Sequence, residues 1–186
     1  MIWLTADTHF NHSNCIDFCR RPFSDVTVMN DTLIDNWNRL VKHGDTVYHL
    51  GDFAFAKGEA GRKEVSKIRS KLNGKIHLIY GNHCVSNKLL KLSHIFSSCV
   101  PMMELKYNGL FFVLCHYQMT VWNRSHYNSF QLYGHSHGMS KPVGKQMDVG
   151  VDTNGYKPYS IDEIIEIMRT KENNRNYIED RRRGGH

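Results

Sequence analysis

The chain has 186 residues, 40% of them hydrophobic and 23% charged, an ordinary globular composition with length enough for one compact domain and a sizeable core. No apolar run approaches the ~20 residues of a membrane helix, and polar Thr5, Asp7 and Thr8 come too early for a secretion signal. Five cysteines without a Cys-x-x-Cys pair argue against a disulfide framework and a cysteine zinc site, and point to a reducing, cytoplasmic compartment. The net charge of +6 divides into +2 on the stretch from Lys171 and +4 on the body, a mildly basic balance that suits a phosphate-bearing substrate.

In chain order, Ile2–Ala6 reads as a strand. Met29, Leu33, Ile34, Trp37, Leu40 and Val41 then form one apolar stripe at helical spacing. Thr46–Leu50 is a second strand. A more polar helix follows from Glu59 to Leu72 and is stopped by Asn73-Gly74. Further strands are expected at Lys75–Tyr80, Ser98–Met103, Leu110–Cys115, Ser129–Tyr133 and about Gln146–Val151. A last helix begins at Ser160, where Ser160-x-x-Glu163 forms a capping box ahead of Ile164, Ile165, Ile167 and Met168. Strands alternating with helices predict an α/β layering with the sheet inside, and the closely spaced later strands predict an antiparallel or mixed portion. There is no internal repeat and no linker. One domain is expected over 1–170, followed by a polar tail, 171–186, that is expected to be disordered. Its Arg181-Arg182-Arg183 run is read as solvated.

The unusual count is histidine, twelve in all, about one residue in fifteen. Five strand-like runs each end in a polar cluster able to bind metal: Asp7-Thr8-His9, Gly51-Asp52, Gly81-Asn82-His83, His116, and Gly134-His135-Ser136-His137. Ligands in open α/β sheets bind beyond the carboxyl ends of strands, and neighbouring strands lie about 5 Å apart. These groups can therefore converge. Asp7, His9, Asp52, Asn82, His116, His135 and His137 supply imidazole and oxygen donors without thiolate, a set suited to Mn, Fe, Zn, Ni or Co. Seven donors exceed one tetrahedral ion and suit two ions sharing a ligand, an arrangement that clamps the attacking and leaving oxygens of a phosphate ester.

Taken in order, Asp-x-His, Gly-Asp, Gly-Asn-His, a lone His and Gly-His-x-His resemble the calcineurin-like metallophosphoesterases. Arg21-Pro22-Phe23, His49-Leu50-Gly51-Asp52-Phe53 and Tyr133-Gly134-His135-Ser136-His137-Gly138 are similar to phrases of their small bacterial and bacteriophage members. The resemblance implies an α/β (α+β-like) double β-sandwich flanked by helices, with two divalent metals at one rim, manganese first and Fe, Zn, Ni, Co or Mg as alternatives. Position by position it gives Asp7, His9 and His137 to one metal and Asn82, His116 and His135 to the other, with Asp52 bridging. A hydroxide between the metals would attack phosphorus in line, and His83 would bind phosphate and act as general acid for the leaving oxygen. The implied activity is hydrolysis of phosphate esters, nucleotide-type phosphodiesters favoured. A nuclease or end-processing enzyme using the same centre, or a catalytically silent metal-binding scaffold, are the alternatives.

The family usually carries Asp or Glu where this chain has Cys84, and the protein-phosphatase continuation after Gly51-Asp52 is missing. Asn82, His12, Arg21 and His126 are the expected substrate contacts. Asn11, Asn14, Arg20, Arg124, Tyr117 and Trp122 are further residues near the expected cleft. His49 is read as a satisfied buried histidine, Asp148 and Asp152 as structural, and His43, His77, His94 and His186 as structural or exposed. The expected partner is a small phosphate ester, nucleotide or nucleic acid, with no membrane. Arg62, Lys63, Lys67, Arg69, Lys71 and Lys75 form the basic cluster on which the nucleic-acid alternative rests.

Overall fold

The computed structural model describes residues 1–179. Two sheets are flanked by helices. Strands β1 (Ile2–Thr5), β2 (Thr46–His49), β3 (Lys75–Ile79) and β4 (Ser98–Val100) run parallel, and the sheet order is β4-β3-β2-β1-β9. Strand β9 (Tyr159–Ser160) closes that edge antiparallel to β1. The second sheet has the order β5-β6-β7-β8, from β5 (Met102–Tyr107), β6 (Leu110–Cys115), β7 (Phe130–Tyr133) and β8 (Gln146–Asp148). It is mixed: β5 and β6 are antiparallel, and β6, β7 and β8 are parallel.

Strand side chains alternate between faces, and this splits the core in two. Trp3, Val47, Ile76 and Leu78 pack with Met29, Leu33, Ile34 and Trp37 of helix α2 (Val26–Leu40) and with Val65 and Ile68 of helix α3 (Gly58–Lys71). Leu4 and Ile79 point the other way, into a second core with Phe112, Leu114 and Leu132 of the second sheet. Helix α5 (Ile161–Thr170) adds Ile161, Ile164, Ile165 and Met168 to it. The α2 stripe starts where the Asp25 side chain accepts from the backbone N–H groups of Thr27 and Val28. The capping box of α5 is formed in full by Ser160 and Glu163.

Three differences from the sequence reading have physical causes. The run Ser98–Met103 is not one strand. Pro101, which offers no backbone N–H, separates β4 in the first sheet from β5 in the second. β5 then returns into β6 through Asn108-Gly109, both at positive φ (48° and 77°), a two-residue hairpin turn that Asn and Gly favour. Two short helices, α1 (Asn14–Phe18) and α4 (Asn82–Ser86), follow strand-end clusters and are too short to show periodicity.

The third difference is at the chain's polar end. Residues 171–179 are mostly exposed, but Asn174 among them is buried and anchored; 180–186, with Arg181–Arg183 and His186, lie outside the described residues. Asn174 is buried, and its amide donates to the carbonyls of Ser125 and Ser129 (2.9 Å each) while its Oδ1 accepts from the Lys145 N–H at 2.7 Å. Asn174→Ala leaves these buried backbone groups unpaired. The expected cost is about 2–3 kcal/mol, a fall in Tm of roughly 5–10 °C. Thermal unfolding followed by circular dichroism checks it, and an unchanged Tm would contradict the anchoring role of Asn174.

Candidate metal centre

The parallel register brings the predicted clusters to one edge. Thr5, His49 and Leu78 are matched across β1, β2 and β3, so the turns after these strands emerge side by side. The Asp7 and His9 N–H groups donate to the carbonyls of Gly51 and Asp52, both at 3.0 Å. On the second sheet, Gly134 N–H donates to the His116 carbonyl at 3.0 Å. The two sheets meet at this edge, where His135 N–H donates to Asp7 Oδ2 at 2.8 Å and Ala6 bridges to Gly150.

All seven predicted donors come together. Asp7, His9 and His137 offer ligand atoms within 4.8 Å of one another, as do Asp52, His116 and His135. Asp52 lies between the groups: its Oδ2 is 3.8 Å from His9 Nε2 and 3.3 Å from His116 Nε2. Its Oδ1 accepts from the His83 N–H at 2.9 Å. The His116 Nδ1–H donates to the Leu50 carbonyl at 2.7 Å, and Nε2 faces Asn82 Oδ1 and Asp52 Oδ2, each at 3.3 Å.

These donors fit cations. Asp7 Oδ1 and His9 Nε2 are buried with no protein partner, a costly state unless something else binds them. Burial pushes the Asp7 carboxyl up to about 7, against the opposing pull of the His137 and His116 charges. Burial also drives His9 down to about 2, holding it in the neutral form that ligates metal. Burial acts to raise Asp52, but the hydrogen bond and charge of His116 hold it down at about 2.

The backbone is built around the same point. Asp7, His9, Asp52, His135 and His137 all have positive φ, between 48° and 67°, a region costly for residues with a Cβ and one that clusters at functional sites. A Cβ on Gly81 would stand 2.5 Å from His116 Nε2 and 2.6 Å from Asp52 Oδ1. A Cβ on Gly134 would stand 2.6 Å from Asp7 Oδ2.

A cavity of about 440 Å³ opens over the centre, with His9, His12, Asp52, Asn82, His83 and His137 in its wall. Of the expected substrate contacts, Asn82 and His12 line it. His12 also holds His9 through an Nδ1–Nδ1 contact of 3.2 Å and stacks on Phe55 at 4.9 Å. Arg21 and His126 do not line the cavity. Arg21 is buried, with its guanidinium bidentate on Asp152 at 2.8 Å, and Arg20 beside it faces the cavity instead. His126 packs its ring 4.1 Å from that of Tyr127, away from the cavity wall. Asn11 pairs with Asn30 of α2, Arg124 lies over the Phe111 ring, and Trp122 donates to the Ser129 carbonyl. Tyr117 packs edge-on against His116 and His135. Cys84 is fully buried in the core, and burial raises its thiol to about 11, so it is no nucleophile.

Asp152 is the residue the sequence reading undervalued. Its Oδ2 accepts from His137 Nδ1–H at 2.7 Å, and this bond fixes the ring with Nε2 free for a cation. Arg21 holds that carboxylate in place and also donates to the Asp7 and Thr8 carbonyls. Asp148 braces the same loop by accepting from Ser136 Oγ and Gly138 N–H. Buried His49 contacts Thr8 Oγ1 at 3.0 Å. Asp152→Asn is expected to weaken one of two cation equivalents by about 10–100-fold and leave the other near its original affinity. Calorimetric titration with Mn²⁺ reads this directly. Two unchanged dissociation constants would remove Asp152 from the centre.

No helix among the described residues is long and apolar enough to cross a membrane. No family model matches the chain. The uncharacterized protein MJ1445 of Methanocaldococcus jannaschii is 35% identical over 174 residues, 90% of this chain and 90% of its own. A protein of unknown function from Aquifex aeolicus, AQ665, shares the fold with a TM-score of 0.70 at 24% identity, over 90% of this chain and 98% of its own. A structure described as a novel archaeal phosphodiesterase aligns with a TM-score of 0.45 at 20% identity, over 80% of this chain and 81% of its own.

Proposed function

We propose that the chain, which belongs to one family with MJ1445, is a calcineurin-like metallophosphoesterase, a metal-dependent phosphoric ester hydrolase favouring nucleotide-type phosphodiesters over monoesters. The observation that carries this reading is the Asp52 carboxylate set between two donor groups, one of which contains buried, unpartnered Asp7 Oδ1 and His9 Nε2. Asp7, His9 and His137 would hold one cation, Asn82, His116 and His135 would hold the second, and Asp52 would serve both. When bound, two divalent ions supply Lewis acidity toward phosphoryl oxygens and acidify a water.

The remaining work falls to the chain. The His83 backbone is anchored to Asp52, and its ring stands in the cavity wall, 5.2 Å from the ring of His9. From there it contacts the phosphoryl group and protonates the leaving oxygen. Arg20, in the same wall, neutralises charge on the bound ester. The donor set accepts Mn, Fe, Zn, Ni, Co or Mg, with Mn proposed first.

The basic cluster gives the nuclease alternative little support. In helix α3, Lys63 pairs with Glu59 and Lys67 with Glu64, while Arg69 caps the carbonyls of Leu72 and Gly74. No α3 residue lines the cavity. A silent scaffold would have no need of a complete donor set. The direct test is hydrolysis of bis-p-nitrophenyl phosphate with added Mn²⁺. Metal-dependent turnover is expected, and no turnover with any of Mn, Ni, Co, Zn or Mg would overturn the proposal.

A further inference from the structure

Two thiols stand beside the Asp7–His9–His137 group and have no part in the hydrolysis. Helix α1 carries Cys15, and Cys19 caps its C-terminal end four residues on, with its N–H still bonded to the Cys15 carbonyl at 3.0 Å, so both side chains lie on one side. Their Sγ atoms are 3.5 Å apart, no disulfide joins them, and both residues line the cavity. The two sulfurs and one His137 nitrogen lie within 4.8 Å of one another, and the Cys15 sulfur stands in the same relation to His9 and His12.

This donor set differs in kind from the neighbouring oxygen- and nitrogen-rich groups. Thiolates select soft cations, whereas carboxylates select hard ones. Zinc–sulfur bonds of about 2.3 Å in a tetrahedron place two sulfurs about 3.8 Å apart, close to the observed spacing, whereas a disulfide needs about 2.05 Å. An open cavity gives a cation its path in. The His137 Nδ1 is engaged by Asp152, so Nε2 is the nitrogen left for a cation on either side.

We propose that Cys15, Cys19 and His137 form a site for a thiophilic divalent cation of the Zn²⁺ or Cd²⁺ class, overlapping the hard-donor centre through His137. A soft ion seated there takes His137 from the Asp7–His9 group. The cavity thereby discriminates between soft and hard metals, and soft ions act as antagonists of loading at that group.

The test uses the full chain and Cd²⁺ alone, with no ester present. Cadmium bound by these thiols gives an ultraviolet thiolate charge-transfer band, and its X-ray absorption spectrum contains two sulfur scatterers. Cys19→Ser, at a half-buried position, is expected to reduce the band by about half, one of two thiolates remaining. Cys99→Ser leaves it unchanged. Wild-type protein with no band, or cadmium with no sulfur neighbour, would overturn the proposal whatever the variants do. So would a band that survives intact in both Cys15→Ser and Cys19→Ser. These readouts do not involve hydrolysis, and the site stands or falls apart from the phosphoesterase reading.

Discussion

His83→Ala is expected to keep two cations per chain and to lose turnover by about 10²–10⁴-fold, the usual contribution of a positioned general acid. The reason lies in which atoms of His83 are used. Its backbone N–H holds Asp52 Oδ1, and alanine retains that bond. Its ring belongs to neither hard-donor group and faces the cavity. Removing the ring therefore removes proton delivery without disturbing a ligand. Metal counting and kinetics on the same preparation separate the two roles. If His83→Ala lost a cation, the ring would be a ligand and the proposed acid would have to be sought elsewhere.

Asp52→Asn carries the other large effect. The carboxylate is placed against both donor clusters, 3.8 Å from His9 Nε2 and 3.3 Å from His116 Nε2. An amide keeps its size and can still accept from the His83 N–H, but it lacks the charge that offsets two cations in a buried setting. Loss of at least one cation equivalent is expected, with turnover down by about 10³-fold or more, several kcal/mol of transition-state stabilisation. The fold should survive, because the substitution keeps the size of the side chain and removes no residue of either core. Unchanged circular dichroism with two retained cations would contradict the shared-ligand role.

The contrast between these residues and the others shows what sequence can carry. Asp7, His9, Asp52, Asn82, His116, His135 and His137 were legible because each directly follows an apolar run, and parallel strands deliver their ends to one edge. The left-handed backbone at five of them was hidden, since Asp and His tolerate that region without announcing it as glycine does. The α2 stripe and the Ser160–Glu163 box were legible as local patterns. The Pro101 break was visible in principle, but the apolar residues on both sides read as one run.

Arg21 and Asp152 were not legible as a pair, because 131 residues separate them and neither alone signals burial. An arginine near a phosphate site reads as a ligand for phosphate, yet here it supports the carboxylate that orients His137. Asn174 failed for a related reason. A polar residue in a polar stretch reads as solvated, and only the structure shows the three buried backbone partners it satisfies.

The proposed dinuclear centre at this edge of the fold is open to direct counting. Equilibrium dialysis of the wild-type chain against Mn²⁺, followed by mass-spectrometric counting of bound metal, tests it most directly. Two equivalents per chain are predicted, falling by at least one in Asp52→Asn and remaining at two in His83→Ala. One equivalent or none in the wild-type chain, under conditions where it is folded, would contradict it.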